Sequence, residues 1–298
     1  MAQASTSAFH EFAQEVRAEI EAALQEYTEF DEDCPPRLRE AIRHSVLAPG
    51  KRLRPMLVLM AAEACGGARG PAMPAAAAVE MVHTYSLIHD DLPAMDDDAL
   101  RRGRPACHAV YGEAMAILAG DALLARALEI AAREVHPPSL AAACCAELAR
   151  AAGASALVGG QVDDLESEFS PGDVQLLERI HRRKTGALIS VSLRMGGLVA
   201  GADPPQLACL GAYGAKLGLA FQIIDDLLDI QGDEKALGKR VGKDSGRGKA
   251  TFPQVLGAAQ SRARAEELAA EACAALEPLG SPSVRLQALA HYVVNRNR

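Results

Sequence analysis

The sequence predicts an all-α protein, and its composition and periodicity carry that prediction. Hydrophobic residues make up 49% of the 298 residues, but only 4% of the residues are aromatic and Trp is absent. Alanine and leucine dominate the apolar content, and both are strong helix formers. Residues that favour strands never cluster with the two-residue period of a half-buried strand. Apolar residues recur instead with the helical period along most of the chain.

Short clusters of glycine, proline and aspartate interrupt the helical pattern, so we expect about ten helices between them. The interruptions lie, in chain order, at residues 31–36, 66–71, 96–105, 136–138, 169–172, 201–205, 231–249 and 277–282. None of them resembles an interdomain linker, and residues 1–298 are therefore predicted to form a single domain. The longest, 231–249, is rich in glycine and lysine and could close over an anionic ligand.

Charge and cysteine content exclude several classes of protein. The formal net charge is −8, and two acidic clusters account for most of the excess. No basic stripe with interleaved aromatic residues occurs, so nucleic acid is not an expected partner. The seven cysteines form no C-x-x-C pair, which indicates a reduced, cytoplasmic protein. Asp and Glu interrupt each long apolar stretch, so no membrane insertion is expected.

The first acidic cluster follows an apolar segment and lies in HDDLPAMD, residues 89–96. Pro93 cannot donate a helical hydrogen bond, so the helix is predicted to kink or end there. Asp96 would then fold back beside Asp90 and Asp91. The following residues, 97 and 98, are also aspartates, and their part in the cluster is the least defined.

A second acidic cluster, Asp225, Asp226 and Asp229, lies in QIIDDLLDI at residues 222–230. Asp225 and Asp229 are four residues apart and share a helix face. Acidic groups at the C-terminal end of a helix oppose its dipole, so a purely structural role would not select them twice. Clusters that offer only oxygen ligands suit a hard cation such as Mg²⁺. A solvated charge run is the alternative, and the recurrence of the pattern favours metal binding.

Cations that could hold phosphate groups lie beside several of the predicted loops. The candidates are Lys51, Arg52, Arg54, Arg101, Arg102, Lys184, Lys239 and Lys249. Arginine and lysine together with Mg²⁺ suit a diphosphate, because each cation offsets part of its charge. His83 lies two helical turns before Asp90 on the same face, where it could either bind a phosphate or pack against a neighbour. Any one of these cations alone could equally be a solvated surface residue.

Five motifs follow one another in the order found in trans-prenyl diphosphate synthases. They are GKRLRP, YSLIHDDLPAMDDDALRRG, HRRKTG, GLAFQIIDDLLD and LGKRVGKD with GKAT, and they extend from about residue 45 to 255. The chain resembles the bacterial-type farnesyl diphosphate synthases most. This resemblance implies the isoprenoid synthase fold, a bundle of long antiparallel helices around a deep central cavity. It also implies a homodimer.

The resemblance assigns a role to each motif. The metal ligands would be Asp90, Asp91, Asp96, Asp225, Asp226 and Asp229, holding about three Mg²⁺ ions, with Mn²⁺ as a substitute, on the allylic diphosphate. The cations Arg101, Lys184 and Lys239 would bind that diphosphate, and Lys249 matches a second lysine of the same loop. Isopentenyl diphosphate would be bound by Lys51, Arg54, His83 and Arg102. Thr185 and Gln222 would face the developing allylic cation.

The reaction implied by the resemblance is an Mg²⁺-dependent condensation of isopentenyl diphosphate with dimethylallyl or geranyl diphosphate. The product would be (2E,6E)-farnesyl diphosphate, formed by allylic ionisation, condensation and proton elimination. Metal ions and cations would stabilise the charge on the leaving diphosphate. An apolar helical cavity would keep water from the carbocation. The departed diphosphate is the base that the family implies.

Two further features concern product length and the C-terminus. Tyr85 and Ser86 lie five and four residues before Asp90, about one helical turn below the proposed metals. The resemblance implies that bulk at these positions limits elongation, with Tyr85 as the floor of a fifteen-carbon product, although Tyr85 could simply pack against a neighbouring helix. At the C-terminus, Arg296 or Arg298 could approach a diphosphate.

Four alternatives are compatible with parts of the pattern. A geranylgeranyl diphosphate synthase would share the motifs but have another floor. A class I terpene cyclase would carry a second metal motif such as N-D-x-x-S-x-x-x-E, whereas this chain has IIDDLLD. A non-catalytic regulatory subunit of a prenyl synthase would have lost aspartates or cations, which are all present here. A generic Mg²⁺-binding helical protein would not explain the ordered cations.

Overall fold

Helices make up most of the chain that the computed structural model describes, which comprises residues 2–167, 174–231 and 251–296. In chain order they are α1 (Ala2–Tyr27), α2 (Pro36–Val46), α3 (Leu53–Ala64), α4 (Arg69–Asp90), α5 (Cys107–Tyr111), α6 (Glu113–Glu134), α7 (Pro138–Ala152), α8 (Leu157–Glu166), α9 (Val174–His181), α10 (Ala187–Val199), α11 (Pro204–Gln231), α12 (Phe252–Leu256), α13 (Ala258–Ala275) and α14 (Val284–Asn295). A π-helical turn, Arg182–Gly186, joins α9 to α10, and short 3-10 turns at Glu277–Leu279 and Ser281–Ser283 precede α14. The all-α prediction is confirmed.

The starts of several helices follow from the local sequence. Pro36 and Pro138 open α2 and α7, where the missing N–H costs nothing because first-turn donors have no partner inside the helix. Just before α11, the side chain of Asp203 accepts from the Gln206 N–H at 2.8 Å, and the Gln206 side chain accepts from the Asp203 N–H at 3.0 Å. This reciprocal capping defines the start of the helix that carries the second aspartate cluster.

Helix α10 lies at the centre of the packing. It contacts α3, α11, α7 and α4, and its side chains Leu188, Leu193 and Met195 are buried. Helix α4 packs against both α3 and α6, and α11 packs against both α10 and α13. The two helices that carry the acidic clusters, α4 and α11, therefore both rest on α10, which fixes them relative to each other.

A short hairpin departs from the predicted all-helical pattern. Strand β1 (Leu100–Arg101) pairs antiparallel with β2 (Arg104–Pro105). The two residues between them, Arg102 and Gly103, have φ angles of 54° and 74°, and positive φ at both positions is a feature of the type I′ turns that suit tight hairpins. The sequence did not indicate strands here because two-residue strands are too short to show alternation.

Two segments, 138–166 and 204–230, are long and apolar enough by composition to cross a membrane. The expectation that Asp and Glu interrupt each long apolar stretch was wrong for these two segments. The first segment is broken between α7 and α8, and 50% of the most apolar window of the second is buried inside the protein. The interior of a helical bundle and a membrane select the same apolar composition, so the burial of α11 identifies it as a core helix.

Candidate active site

The first aspartate cluster lies where α4 ends. The helix stops at Asp90, and the N–H of Asp96 returns to the Asp90 carbonyl at 2.7 Å. The N–H of Asp98 donates to the Asp91 carbonyl at 3.0 Å, and Asp97 makes the reversal with a φ of 45°. These bonds satisfy carbonyl groups that lack partners at a helix C-terminus. The predicted fold-back of Asp96 beside Asp90 is present in the structure.

The carboxyl group of Asp90 lies in surroundings that resist ionisation. Burial raises the pKa of Asp90 to about 6. Lys184 and Arg101 act on that pKa in the opposite direction, whereas the neighbouring Asp96 and Asp91 add to the increase. A cation placed among these carboxylates would offset their mutual repulsion and favour their charged forms. The electrostatics of the cluster therefore fit a metal site.

Arg101 is the direct partner of Asp91. Its Nε lies 2.9 and 3.2 Å from the two carboxylate oxygens of Asp91, and its Nη2 also donates to Oδ1. Burial raises the pKa of Asp91, and the hydrogen bonds from Arg101 lower it. Arg101 thus lies at the first aspartate cluster, where the resemblance placed it, and it holds Asp91 in an ion pair that is largely enclosed.

The hairpin directs two consecutive arginines to different neighbours. Arg101 contacts the acidic cluster, whereas Nη1 of Arg102 donates to the Pro49 carbonyl at 3.3 Å. The Arg102 guanidinium packs over Gly50, where a Cβ would lie 2.2 Å from Nη1. The absence of a side chain at Gly50 leaves room for this approach. Arg102 therefore joins the loop that carries Lys51, which is exposed.

A basic cluster, formed by Arg54, His83 and Arg102, lies beside that loop. Burial lowers the pKa of His83 well below its ordinary value, and Arg54 and Arg102 lower it further. Burial also lowers the pKa of Arg54 to about 10, and its Nε is buried with no hydrogen-bond partner among the described residues. At neutral pH, His83 is therefore an uncharged imidazole close to two guanidinium groups. Cations packed together with an unused buried donor suit an anion.

Arg52 was counted among the candidate phosphate-binding cations, and the structure corrects this. Arg52 is 2% exposed and pairs with Glu21 at 2.8 Å and with Glu80 at 3.0 Å. Its Nη2 also donates to the carbonyls of Val46 and Ala48, at 2.9 Å each. An enclosed guanidinium that is bound in this way cannot reach a substrate. Arg52 instead joins the N-terminal end of α3 to α1, α2 and α4.

The π-helical turn places Lys184 beside the first aspartate cluster. Its Nζ lies 2.7 Å from a carboxylate oxygen of Asp164 on α8. Burial lowers the pKa of Lys184, but the charges of Asp164, Asp90 and Asp96 outweigh that effect and raise the pKa overall. Lys184 therefore remains a cation between α8 and the end of α4. Local π-helical geometry occurs frequently at functional sites.

Two aspartates of α8 were missing from the predicted site. Asp164 binds Lys184, and Asp163 accepts from Arg183 at 2.7 Å. The close approach of the two segments depends on Gly160, where a Cβ would lie 2.4 Å from the Lys184 backbone nitrogen. The acidic pair in GGQVDDL was the signal that could have found these residues, because it repeats the DD dipeptide of both recognised clusters.

The second aspartate cluster lies near the C-terminal end of α11, and its members differ in exposure. The side chain of Asp225 is 39% exposed, whereas Asp226 is 4% exposed and Asp229 is 8% exposed. One turn earlier, Nε2 of Gln222 donates to Asp226 at 3.1 Å. The Thr185 hydroxyl donates to Oε1 of Gln222, also at 3.1 Å. Thr185 directly follows Lys184, which lies beside the first aspartate cluster. The π-helical turn therefore connects the two aspartate clusters.

The end of α14 also reaches the second cluster. Nη2 of Arg296 lies 3.2 Å from Oδ1 of Asp225 and donates to the Phe221 carbonyl at 3.1 Å. The guanidinium lies 4.0 Å over the Phe221 ring. The C-terminal segment thus contacts the candidate site through a carboxylate, and a contact with a diphosphate stays a prediction. Lys239, Lys249 and Arg298 lie outside the described residues.

The aspartates fit a divalent metal that binds together with an anion. Among the described residues, no three His, Cys, Asp or Glu side chains converge into a ready-made metal cage. Mg²⁺ seldom uses such a cage, and it takes one or two carboxylates together with waters and substrate phosphates. Asp90, Asp96 and Asp225 offer oxygen only, and the cations Lys184 and Arg101 lie beside the first cluster. This donor set suits Mg²⁺ with a bound diphosphate.

Tyr85 and Ser86 lie one turn below the first cluster, as predicted. Tyr85 is 7% exposed, and its ring meets the His89 ring edge-on with centroids 5.4 Å apart. Nε2 of His89 lies 3.0 Å from the carbonyl oxygen of Ile117, which holds the imidazole against α6. A Cβ at Gly120 would lie 2.2 Å from His89, so α6 closes tightly against this ring pair. Tyr85 is therefore firmly supported from behind.

We expect Asp90→Asn to raise the melting temperature at pH 7.5 by about 2–6 °C in metal-free buffer. The pKa of Asp90 is about 6 in the folded protein and 3.8 ordinarily, so the folded state binds the proton more tightly. Ionisation of Asp90 therefore destabilises the fold: the cost is absent below about pH 4, grows between about pH 4 and 6, and is complete above that. Asparagine removes this cost because its side chain cannot ionise.

Thermal unfolding of both proteins at pH 4.5, 6 and 7.5 checks this expectation, and the difference in melting temperature should grow with pH. Asp97→Asn is the matched control, since it removes the same charge from an exposed position of the same turn. A difference that is constant with pH, or equal in the two variants, would contradict the electrostatic account of Asp90.

Comparison with known proteins gives a family match and similar relatives of known name. The family model described as polyprenyl synthetase matches residues 35–277. The farnesyl diphosphate synthase of Geobacillus stearothermophilus is 45% identical over 284 residues, covering 94% of this chain and 94% of that protein. The geranylgeranyl diphosphate synthase of Cyanophora paradoxa is 46% identical over 266 residues, covering 88% of this chain and 89% of that protein.

A solved structure resembles the whole fold. The apo structure of an FPP/GFPP synthase from Zymomonas mobilis has a TM-score of 0.85 and 37% sequence identity to this chain. The match covers 99% of this chain and 100% of that one. The arrangement of helices described above is therefore shared from end to end with a protein of that name.

Proposed function

Because the chain belongs to the polyprenyl synthetase family, we propose that it is a trans-prenyl diphosphate synthase whose product is farnesyl diphosphate. The family condenses isopentenyl diphosphate with allylic diphosphates and depends on a divalent metal. The helices form the isoprenoid synthase fold. The observation that carries the proposal is the presence of two aspartate clusters and the basic cluster, which would provide a metal–diphosphate site and an anion site.

The allylic diphosphate would lie at the aspartate clusters. Mg²⁺ bound there with Asp90, Asp96 and Asp225 would supply Lewis-acid stabilisation of the departing diphosphate. Lys184 lies beside Asp90 and Asp96 and contributes a fixed positive charge on the same side. As the bond between C1 and oxygen breaks, its electron pair leaves with the diphosphate, so positive charge from the protein at this point lowers the barrier.

Isopentenyl diphosphate would lie at the basic cluster. Arg54 and Arg102 would balance its diphosphate charge, and His83 would donate a hydrogen bond as a neutral imidazole. The π bond of isopentenyl diphosphate would then attack C1 of the allylic cation and leave a cation at C3. The departed diphosphate would take the proton from C2 as the new double bond forms between C2 and C3. Thr185 and Gln222 place oxygen atoms near the second cluster, where they can face the cationic carbon.

The decisive experiment supplies the purified protein with Mg²⁺, isopentenyl diphosphate and either dimethylallyl or geranyl diphosphate. We expect release of diphosphate and a fifteen-carbon product identified by mass. A twenty-carbon product would favour the geranylgeranyl alternative, which the similarity to the Cyanophora enzyme supports. Absence of diphosphate release with both allylic substrates would reject the catalytic proposal and favour a regulatory subunit.

Tyr85→Ala is expected to lengthen the product beyond fifteen carbons. Tyr85 is buried against His89, which α6 supports, so its ring would form a rigid floor one turn below Asp90. Removal of the ring opens space of roughly one isoprene unit and at the same time costs about 3 kcal/mol or more of stability. Mass analysis of the products gives the readout.

Tyr85→Phe is the matched control for that experiment, because it keeps the ring and removes only the hydroxyl. It should still yield the fifteen-carbon product. If Tyr85→Ala also yields only this product while it remains folded, the floor lies elsewhere and Tyr85 has a packing role.

We also propose a cytoplasmic homodimer. All seven cysteines are free, in keeping with a reducing compartment. Val110, Ile117 and Leu118 are large hydrophobic side chains that are 45–54% exposed on α5 and α6, and they offer an apolar face for a second copy. Light scattering during gel filtration, with twice the mass of one chain as the expected result, tests the dimer.

A further inference from the structure

Asp226 differs from its neighbours in how its carboxylate is used. Oδ1 accepts from Nε2 of Gln222 at 3.1 Å, and Oδ2 accepts from the backbone N–H of Phe252 at 3.1 Å. Nε2 of His181 lies 3.7 Å from Oδ2, and the His181 ring stacks on Phe252 with centroids 5.5 Å apart. Asp226 therefore accepts hydrogen bonds from its own helix and from α12, and the His181 ring at the end of α9 lies beside it.

The exposure of the cluster separates Asp226 from Asp225. A metal that keeps several waters needs a carboxylate that solvent can reach. The side chain of Asp225 is 39% exposed, and that of Asp226 is 4% exposed. Both oxygens of Asp226 already accept from protein donors. Asp225 is thus suited to a hydrated metal, and Asp226 is placed as a fixed acceptor inside the protein.

The carboxylate of Asp226 dictates the orientation of the Gln222 amide. An ionised carboxylate only accepts hydrogen bonds, so the amide nitrogen of Gln222 faces it. The amide oxygen then points the other way and accepts from the Thr185 hydroxyl at 3.1 Å. With its proton donated to Gln222, Thr185 has only lone pairs left. The Thr185 hydroxyl can therefore offer a further neighbour only oxygen lone pairs, and no hydrogen atom.

We propose that Asp226 is a positioning residue that fixes the polarity of Gln222 and Thr185, and is not a direct metal ligand. The inference rests on the proposed function, because that polarity matters where an allylic cation develops. Oxygen lone pairs stabilise a nearby carbocation, and N–H or O–H groups turned toward it do the opposite. The backbone N–H of Phe252 holds Asp226 itself in place, and the His181 ring packs beside both residues.

Asp226→Asn tests the polarity directly. With its oxygen kept on the Phe252 N–H, the new amide group faces Gln222 and forces the Gln222 amide to turn over. Gln222 would then donate to Thr185, whose proton would point toward the cation. We expect kcat to fall by about 10- to 100-fold with little change in KM for either substrate, because the lost interaction acts in the transition state.

The paired variant Asp226→Asn with Gln222→Glu should recover most of the lost kcat. In this double variant, the introduced carboxylate can accept hydrogen bonds from both the introduced amide and the Thr185 hydroxyl, so the hydroxyl proton keeps its original direction. Gln222→Glu alone should be impaired, since it sets two carboxylates about 3 Å apart. Recovery in the double variant is a result that a merely structural role for Asp226 would not produce.

Metal binding is measured separately from activity. Mn²⁺ is titrated, with inorganic diphosphate present, into the unchanged protein, Asp226→Asn and Asp225→Asn, and free Mn²⁺ is read by electron paramagnetic resonance. We expect an unchanged dissociation constant for Asp226→Asn within about twofold and at least tenfold weaker binding for Asp225→Asn. Equal weakening in both variants, or no recovery in the double variant, overturns the proposal. An unchanged protein that binds Mn²⁺ but forms no prenyl product would instead overturn the proposed function.

Discussion

Asp90→Asn is expected to lower turnover by about 10³-fold or more while the protein stays folded. Asp90 ends α4 at the centre of the first cluster, with Asp91, Asp96 and Lys184 as its charged neighbours. The amide has nearly the same size as the carboxylate but cannot balance the charge of a metal. The leaving diphosphate would therefore lose most of the stabilisation that the cluster provides.

The combination of lost activity and unchanged or higher melting temperature distinguishes this variant from a simple folding defect. Burial raises the pKa of Asp90 to about 6, so the ionised carboxylate destabilises the fold. A residue with this cost points to a role other than stability. Steady-state release of diphosphate, measured over a range of Mg²⁺ concentrations, gives the rate. Asp97→Asn serves as the control in the same turn and should retain near-normal turnover.

Asp225→Asn should give a comparable loss for the same reason at the second cluster. The carboxylate of Asp225 is more exposed than that of Asp226, and its Oδ1 lies 3.2 Å from Nη2 of Arg296. Near-normal rates in Asp90→Asn or Asp225→Asn would remove the assignment of that aspartate to metal binding. Near-normal rates in both would remove the metal site from the proposed function.

The fold class and the acidic half of the site could be predicted because they depend on local patterns. Pro93 predicted the end of α4, and the backbone bond from Asp96 to Asp90 shows the expected fold-back. The spacing of Asp225 and Asp229 predicted their common helix. Each of these relations joins residues that are close together in the chain, so the local sequence determines it.

Relations between distant segments were harder to predict. Asp163 and Asp164 meet the π-helical turn only through tertiary packing at Gly160, and no periodicity reports that approach. The hairpin that separates Arg101 from Arg102 depends on a positive φ at an arginine, which the local sequence disfavours. The surrounding contacts override the local preference there, as commonly happens near functional sites.

The motif GKRLRP shows most clearly what a charge pattern cannot predict. Its two arginines look alike in the sequence, but they have different roles. Arg52 is enclosed by Glu21 and Glu80, and Arg54 has a buried Nε without a partner among the described residues. One arginine can pair with acidic residues of other helices, and another can pair with a ligand. The charge pattern of the sequence alone does not distinguish these two cases. The burial of each guanidinium group and the atoms that it contacts show which role each arginine has.

Arg52→Ala is expected to destabilise the protein by about 3–5 kcal/mol, because it leaves Glu80 as a buried charge without its partner. Glu80 is 1% exposed, and its carboxylate lies 3.0 Å from Nη1 of Arg52. The same substitution frees the carbonyls of Val46 and Ala48. A loss of this size lowers the melting temperature by about 10 °C in a protein of this length.

A comparison of one single variant with a double variant isolates the effect of the unpaired Glu80 charge in that loss. Arg52→Met with Glu80→Gln removes both charges and should be more stable than Arg52→Met alone, since no unpaired carboxylate stays buried. Thermal or urea unfolding provides the free energies. Equal stability of the single and double variants would show that the Glu80 charge is not the cause.

Arg54→Ala is the matched comparison two residues away, and it should have the opposite phenotype. Burial lowers the pKa of Arg54 to about 10, so the desolvation of its charge costs more than the attraction of Glu80 returns, and its removal leaves the melting temperature unchanged or higher. The KM of this variant for isopentenyl diphosphate should rise by about tenfold or more, because a guanidinium–phosphate contact is lost. If Arg52→Ala instead raised that KM at normal stability, the division of roles within GKRLRP would be reversed.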